Sequence, residues 1–191
     1  MCGRLNIIDD PFSHYVSEQL GIVFSAQPRE EAFPSESLEC VVAGYDKQLF
    51  QLPLAWGIKP TWSNKLIINA QAETVQTKPT FSHAYSTHRA IVPCSGWYEW
   101  KTEPNGTKSK YLFQSENDRP LYMAAVGYPD AGQVVTLTTE PTDSYKTFHH
   151  RMPLILSAED AACWLLPSST NHTGLLSRLV DDTYWKVIGI G

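Results

Sequence analysis

Residues 38–56, LECVVAGYDKQLFQLPLAW, are the stretch from which the fold is best inferred. Two runs rich in β-branched, aromatic and leucine residues flank Gly-Tyr-Asp-Lys at 44–47, a segment that favours a turn. This arrangement predicts a β-hairpin whose first strand begins at Leu38 and whose second ends at Trp56. Antiparallel pairing is therefore expected to organise the chain around it.

Short runs of the same kind recur on both sides of the hairpin, with turn residues between them. Their density predicts an α+β protein with a mainly antiparallel, barrel-like β core and a few flanking helices. Residues 4–8, RLNII, alternate like a strand. The other predicted strands are residues 66–69, 90–93, 97–101, 110–114, 120–128, 134–139, 153–156 and 184–188.

Two helices are expected beside the sheet. A helix over residues 10–20 is predicted because Pro11 is typical of a first turn and Gly21 of a helix end. A second helix is predicted from Ser157, an N-cap residue followed by acidic residues, to the residue before Pro167. Segments 25–37 and 168–179 are expected to be loops, the latter with a short helix.

Length and composition favour one domain and disfavour two classes of protein. The 191 residues, 42% of them hydrophobic, suit a single domain spanning residues 1–191. No apolar run is long enough to cross a membrane, and the start is unlike a secretion signal, which favours a cytoplasmic protein. A net charge of −5 argues against general nucleic-acid affinity and leaves room for a local basic groove only.

The cysteine spacing gives no indication of a metal site. Cys2, Cys40, Cys94 and Cys163 include no Cys-x-x-Cys pair and no cluster with histidine of the zinc-binding type. A reduced protein without a metal or a cofactor is therefore expected. Cys40 and Cys163 lie in apolar runs, where cysteine is usually a small buried hydrophobe.

The start of the chain, Met1-Cys2-Gly3-Arg4, carries the most distinctive chemistry. Removal of Met1 would leave Cys2 with a free α-amine beside its thiol, and these groups titrate near pH values of about 8 and 8.5. The amine can condense with an aldehyde to an imine, to which the thiolate can add to close a thiazolidine ring. Alternatively, the amine can activate the thiol as a general base, as in N-terminal nucleophile hydrolases. Because cysteine at this position also occurs by chance, the rest of the chain has to supply the evidence.

A loop after the hairpin combines aromatic and basic residues. Trp56 and Trp62 alternate with Lys59 and Lys65 on a segment punctuated by glycine and proline. Such a loop can stack on unpaired bases and follow a phosphate backbone. Both tryptophans can equally belong to the core, which aromatic residues also dominate.

Two further polar residues are candidates for a site. Asn69 follows an apolar strand, where its amide can fix a neighbouring backbone or simply form a turn. Glu99 stands among aromatic residues, and period-two alternation places it on the same face as Trp97. A carboxylate buried there would suit proton transfer, whereas the alternative is a solvent-facing glutamate paired with Lys101.

A pair of adjacent histidines, His149 and His150, precedes the strand predicted at 153–156. Histidine titrates near neutrality and suits acid–base catalysis. On an extended chain the two side chains point in opposite directions, so at most one is expected to serve a site. A structural histidine is the alternative, and no third ligand by spacing supports a metal site.

Six segments follow one another along nearly the whole chain. They are Met1-Cys-Gly-Arg4, Trp56-Gly-x-x-Pro-x-Trp62, Asn69-Ala-x-Ala-Glu-Thr74, Lys78-Pro-Thr-Phe81, Gly96-Trp-Tyr-Glu-Trp100 and His149-x-Arg-x-Pro153. In this order they closely resemble the SRAP family (SOS response-associated peptidase).

The resemblance implies a β-rich domain that binds single-stranded DNA and captures abasic sites through its N-terminal cysteine. It implies that Cys2 is the nucleophile, that Asn69 positions its amine and that Glu99 shuttles protons. It further implies that His149 stabilises or protonates the opened sugar oxygen. Such a protein would act as a monomer without metal or cofactor, in the cytoplasm and at the nucleoid when bound to DNA.

The same resemblance implies a DNA-binding groove, lined by Arg4, Trp56, Lys59 and Trp62. Single-stranded DNA is the expected form because an abasic nucleotide must be accessible, and stacking on its neighbours tolerates any sequence. Family members commonly carry arginine where this chain has Gln71, a position expected to contact phosphate, and residues 33–35 also depart from the family pattern. These departures predict weaker DNA binding or a preference for another ligand.

Three functions therefore stay open at the level of sequence. The first is a sensor of abasic sites that forms a covalent thiazolidine cross-link through Cys2 once Met1 is removed, with lyase activity as a possible extension. The second is an N-terminal-cysteine peptidase or hydrolase that removes its own Met1. The third is a domain that binds single-stranded DNA without covalent chemistry.

Overall fold

The computed structural model describes residues 3–8, 10–166, 172–177 and 185–190. Cys2, Asp9, Tyr184 and parts of the segment 168–179 lie outside these ranges. The described helices are α1 (Phe12–Leu20), α2 (Pro79–Thr87), α3 (Ala158–Leu165) and α4 (His172–Leu175). The described strands are β1 (Leu5–Ile7), β2 (Arg29–Ala32), β3 (Ser37–Ala43), β4 (Leu49–Trp56), β5 (Asn69–Gln71), β6 (Arg89–Cys94), β7 (Gly96–Thr102), β8 (Lys108–Ser115), β9 (Leu121–Tyr128), β10 (Gln133–Thr139), β11 (Met152–Pro153), β12 (Ile155–Leu156) and β13 (Trp185–Ile190).

An eight-stranded sheet closes on itself and confirms the barrel-like β core. Strands β4, β3, β6, β9 and β10 form the ring, which closes because β10 pairs with both β9 and β4. The predicted hairpin is β3–β4, with Leu38 opposite Leu54. Most pairs are antiparallel, while β10 runs parallel to β4 and β5. Closure removes the exposed edges that an open sheet of this size would carry.

A second sheet holds the start of the chain in its interior. Its order is β13-β8-β7-β1-β2, so β1 lies between β7 and β2. Leu5 is opposite Trp97, and the backbone carbonyl of Arg4 accepts a hydrogen bond from the N–H of Tyr98 at 3.0 Å. The strand-like pattern of residues 4–8 is therefore confirmed, with β1 spanning Leu5–Ile7.

The two predicted helices are present, and their ends follow from the sequence. Helix α1 buries Phe12, Val16 and Leu20 and ends at Gly21, which is left-handed with φ +66°. Helix α3 is capped by Ser157, whose hydroxyl accepts the N–H of Asp160 at 3.1 Å. Within the described residues, no helix is long and apolar enough to span a membrane.

Four local predictions were wrong or incomplete. Residues 66–69 were expected to be a strand, yet Ile67 forms only an isolated bridge to Ile58, and β5 begins at Asn69. Residues 25–37 were expected to be loop, yet Arg29–Ala32 forms β2 because β1 offers it an antiparallel partner. Helix α2 was not predicted. The strand expected at 153–156 is two short strands, since β11 pairs with β10 and β12 with β9.

Three fully buried tryptophans show how the core accommodates polar atoms. The indole N–H of Trp56 donates a hydrogen bond to the carbonyl oxygen of Ile68 at 3.1 Å. That of Trp164 donates to the carbonyl oxygen of Ala90 at 2.9 Å. The third donates from Trp97 to a side chain of the candidate site. Each large ring can be buried because its one polar atom has a partner.

Candidate functional site

Glu99 lies in the interior, at the centre of β7. Its side chain is 3% exposed, so the alternative of a solvent-facing carboxylate paired with Lys101 is wrong. Oε2 of Glu99 accepts a hydrogen bond from the hydroxyl of Tyr145 at 3.2 Å, and that hydroxyl accepts the indole N–H of Trp97 at 3.0 Å. Trp97 and Glu99 thus share one face of the strand, as the alternation predicted.

His149 is half-buried and held by the backbone of Arg151. Its Nδ1 lies 3.0 Å from the N–H nitrogen and 3.1 Å from the carbonyl oxygen of Arg151, so either protonation state finds a partner without rotation of the ring. Burial lowers the pKa of His149 below its ordinary value of 6.5, while the negative charge of Glu99 works to raise it. The lowered pKa favours the neutral imidazole, and the two side chains interact.

The two histidines do not point in opposite directions. The rings of His149 and His150 stack with centroids 4.2 Å apart and an interplanar angle of 29°. The expectation failed because these residues form a bend between a helical turn and β11 rather than an extended strand. Both side chains therefore flank the same region.

Asn69 begins β5 and is oriented by the neighbouring strand. Its Oδ1 accepts a hydrogen bond from the hydroxyl of Thr136 at 2.7 Å. Thr136 is its register partner on β10. Because one side of the carboxamide is fixed in this way, the NH₂ group is directed to the other side.

Strand β10 assembles the site from distant segments. On one side it pairs with β5, where Thr138 is opposite Gln71, and on the other with β11, where Thr138 is opposite Pro153. Asn69 and Gln71 are thereby brought beside the segment that carries His149 and its neighbours. Sequence separation hides this arrangement because the two flanking segments are about eighty residues apart.

An open cleft of about 460 Å³ lies along this junction. It receives side chains from the loop after β4, from β5, from the start of α2 and from the histidine segment. Trp62 is 69% exposed there, which suits stacking on an unpaired base. The side chains that line the cleft include those of Trp62, Asn69, Gln71, Lys78, His150 and Arg151.

Trp56 does not belong to this surface. Its ring is 0% exposed, so it cannot stack on DNA, and the expectation of a groove-lining Trp56 is corrected. Gly57 follows it with φ +114°, where an added Cβ would come within 2.8 Å of Leu66 Cγ, so only glycine fits the turn. This turn carries Lys59 and Trp62 away from the core, and both side chains are exposed.

Arg4 lies beside the second sheet. Its Nε is 3.6 Å from Glu31, and its guanidinium stacks over the ring of Phe33 at 3.9 Å. The β1–β7 register, continued one residue before Arg4, brings Gly3 level with Glu99. The described chain therefore starts alongside the buried carboxylate.

Arg151 is a site residue for which sequence reasoning gave no role. Its guanidinium donates two hydrogen bonds to Glu73, at 3.0 and 2.8 Å, and one to the carbonyl oxygen of Thr138 at 2.6 Å. Partial burial works to raise the pKa of Glu73, but the bonds from Arg151 hold it below its ordinary value. The polar run around the histidines, which includes Arg151, was the available signal.

Tyr145 was also missed. It is 1% exposed and forms the bridge to Glu99 described above. A tyrosine six residues after a buried strand carries no pattern that distinguishes it from an ordinary core residue.

Two of the internal thiols, those of Cys40 and Cys94, are poor nucleophiles. Burial raises the pKa of Cys94 to about 12 and raises that of Cys40 as well, so both are protonated at neutral pH. Cys163 is half-buried on α3. Among the described residues, no group of three or more histidine, cysteine or acidic side chains is arranged to hold a metal.

Comparison with known proteins identifies relatives along almost the whole chain. The abasic site processing protein YoaM of Bacillus subtilis is 30% identical over 94% of this chain and 86% of its own length. The abasic site processing protein YedK of Escherichia coli is 32% identical over 63% of this chain and 57% of its own length.

A solved structure shares the architecture. A phage-related protein of Bordetella bronchiseptica superposes with a TM-score of 0.81 at 25% identity, over 99% of this chain and 94% of its own. The family model for SOS response associated peptidase (SRAP) matches residues 1–187. The chain therefore belongs to the SRAP family.

Proposed function

We propose that this protein, once Met1 is removed, captures the aldehyde of an abasic site in single-stranded DNA through Cys2 and shields the lesion as a covalent cross-link. The observation that carries the proposal is the pairing of β1 with β7, whose register brings Gly3, the first described residue, level with the buried Glu99. The names of its relatives as abasic site processing proteins support the choice of DNA lesion.

The chemistry needs two groups of one residue. The α-amine of Cys2 adds to the sugar aldehyde to form a carbinolamine, which loses water to give an imine. The thiolate then adds to the imine carbon, and the amine nitrogen takes up a proton, which closes the five-membered thiazolidine. One water leaves overall, and no oxidant or reductant takes part. Because amine and thiol belong to the same residue, ring closure is intramolecular and favoured entropically.

The described side chains supply the proton transfers. Glu99 is proposed to accept a proton from the amine and to return one to the departing water, since it is level with Gly3 in the strand register and away from bulk solvent. Burial lowers the pKa of His149, which favours the neutral imidazole, and this side chain is proposed to interact with the opened sugar oxygen. Asn69, fixed by Thr136, is proposed to position the amine.

The DNA would follow the open cleft. Trp62 presents an exposed ring for a flanking base, and Lys59 and Lys78 offer charge to the phosphate backbone. Gln71 stands in the same cleft without a charge of its own. All of the proposed groups come from one chain, so a monomer suffices, and none of the steps requires a metal.

Intact-mass spectrometry tests the proposal. Protein that lacks Met1 is mixed with single-stranded DNA carrying one abasic site, and the expected product has the summed mass less one water. Cys2→Ala should give none, whereas Cys163→Ala, which removes a half-buried thiol on α3, should react like the parent. An adduct that persists in Cys2→Ala, or none from Met1-free parent protein, would overturn covalent capture through Cys2.

The peptidase in the family description suggests a preceding step, in which the protein releases its own Met1. Purified protein that retains Met1, incubated without an aminopeptidase, should then release methionine, and Glu99→Gln should prevent it. Retention of Met1 by the parent would assign its removal to another enzyme. A stable adduct on protein that still carries Met1 would instead contradict the need for the Cys2 amine.

A further inference from the structure

We propose that Tyr145 is a positioning residue that orients both Glu99 and His149, an inference that rests on the proposed function. No motif marked Tyr145 in the sequence. In the structure it contacts Glu99 through its side chain and His149 through its backbone.

The side chain of Tyr145 has a defined hydrogen-bond polarity. The indole N–H of Trp97 can only donate, so the Tyr145 hydroxyl accepts there, at 3.0 Å. The hydroxyl has a single proton, which is directed to Oε2 of Glu99 at 3.2 Å. A chain of donors thus runs from Trp97 through Tyr145 to the carboxylate.

This polarity restrains the carboxylate of Glu99. Oε2 accepts the bond from Tyr145, and protonation of Oε2 would disrupt that bond. The bond also opposes rotation of the carboxylate, which keeps the general acid–base group in one orientation.

The backbone of Tyr145 fixes the histidine segment. Its carbonyl oxygen accepts the N–H of Phe148 at 2.9 Å and that of His149 at 3.2 Å. Tyr145, which binds Glu99, is therefore one helical turn before His149. Because this contact uses main-chain atoms, a side-chain substitution leaves it intact and isolates the role of the hydroxyl.

The ring of Tyr145 is itself immobilised. Its centroid lies 4.8 Å from that of Phe113, and the rings of Trp97 and Phe148 lie at 6.0 and 6.2 Å. With four aromatic rings packed together, the hydroxyl has little freedom to leave its position. The aromatic cluster serves the site by holding one polar atom in place.

Single-turnover kinetics of Tyr145→Phe test the inference. At saturating abasic DNA, the rate constant of cross-linking should fall about 10- to 100-fold, while the dissociation constant for uncleaved, unmodified single-stranded DNA should change less than about twofold. Tyr122→Phe is the matched control. Tyr122 is equally buried, and its hydroxyl donates to Gln19 at 2.7 Å, remote from Glu99 in hydrogen-bond connectivity.

A double-mutant cycle separates positioning from general weakening of the fold. If Tyr145 acts through Glu99, Tyr145→Phe should have little further effect on the rate in a Glu99→Gln background. Equal losses in both backgrounds, or a rate unchanged by Tyr145→Phe in folded protein, would overturn the inference. Thermal unfolding of each variant verifies that the comparison is between folded proteins.

A measurement without DNA tests the role of Tyr145 separately from the proposed cross-linking function. Because hydrogen bonds in a chain polarise one another, the NMR signal of the Trp97 indole N–H should shift in Glu99→Gln. If the indole signal shifts although the parent forms no adduct with abasic DNA, the proposed hydrogen-bond chain is supported and the proposed reaction is rejected. An unchanged indole signal would reject the chain itself, whatever the reactivity of the parent.

Discussion

The interior pair of Glu99 and His149 and the open cleft around Trp62 are built in contrasting ways. The buried carboxylate is 3% exposed and held by a tyrosine that is itself bonded to a tryptophan. Trp62 is 69% exposed on a loop, and Gln71 beside it is also exposed. One region is fixed by core packing, whereas the other projects into solvent.

This contrast teaches how the two tasks of the proposed reaction are divided. Proton transfer requires atoms placed to within a fraction of an ångström, which only a packed core supplies. Binding to DNA of any sequence requires a surface that can adapt to different bases. Substitutions in the two regions are therefore expected to affect different constants, rate in the interior and affinity in the cleft.

Glu99→Gln should produce the largest effect and the clearest separation. Loss of a general acid–base group is expected to lower the single-turnover rate by about 10²- to 10⁴-fold, with affinity for DNA nearly unchanged. Glu103→Gln is the control, because Glu103 likewise accepts a hydrogen bond from a tyrosine, Tyr111, at 2.6 Å. A rate within twofold of the parent would remove Glu99 from the mechanism.

Trp62→Ala should act on affinity instead. Loss of one stacked base costs about 1–3 kcal/mol, so the dissociation constant for single-stranded DNA should rise by roughly 5- to 150-fold. The rate at saturating DNA should stay close to that of the parent. Trp100→Ala removes a 38% exposed ring outside the cleft lining and should have little effect. A large fall in the saturated rate of Trp62→Ala would show that the two regions are not independent.

Gln71→Arg should increase the affinity for single-stranded DNA by a smaller factor than Trp62→Ala decreases it. An added phosphate contact is expected to tighten binding by on the order of 1 kcal/mol, or about fivefold, and to steepen the salt dependence by about 0.7 in logarithmic slope. Gln48→Arg adds the same charge on the exposed hairpin turn. Equal gains from both substitutions would attribute the effect to net charge rather than to the cleft.

The smallest effect is expected in the titration of His149. Burial holds its pKa below 6.5 and the Glu99 charge opposes that shift, so removal of the charge in Glu99→Gln should lower the pKa further. His149 therefore stays neutral to a lower pH in the variant than in the parent. NMR titration of the His149 ring in the parent and in the variant measures both values. A rise in the His149 pKa would contradict the interaction between the two side chains.

The parts of the fold that sequence predicted are those dictated by local patterns. The hairpin at 38–56 was signalled by its turn, α3 by Ser157, and the face shared by Trp97 and Glu99 by strand periodicity. Strand β2 was missed because its sequence, REEA, is charged and has no strand pattern of its own. It is a strand because tertiary context supplies a partner in β1.

Sequence marked several side chains of the candidate site, missed Tyr145 and Arg151, and gave no indication of the arrangement. Asn69, Glu99 and His149 stood out as polar residues in apolar surroundings, yet nothing local indicates that β10 brings the first and last together. Trp56 and Trp62 looked alike on one loop. Trp56 is buried because it ends β4 opposite Val134 in the barrel, whereas Trp62 is exposed because it follows the turn at Gly57.

The interior position of β1 also sets the order of events during synthesis. Its partner β7 begins at Gly96, about ninety residues after Leu5, so at roughly 5–20 residues per second the ribosome needs about 5–18 s to supply it. Throughout that interval the beginning of the nascent chain has no β7 to pair with and is open to an aminopeptidase. Methionine excision can thus precede the pairing of β1 with β7.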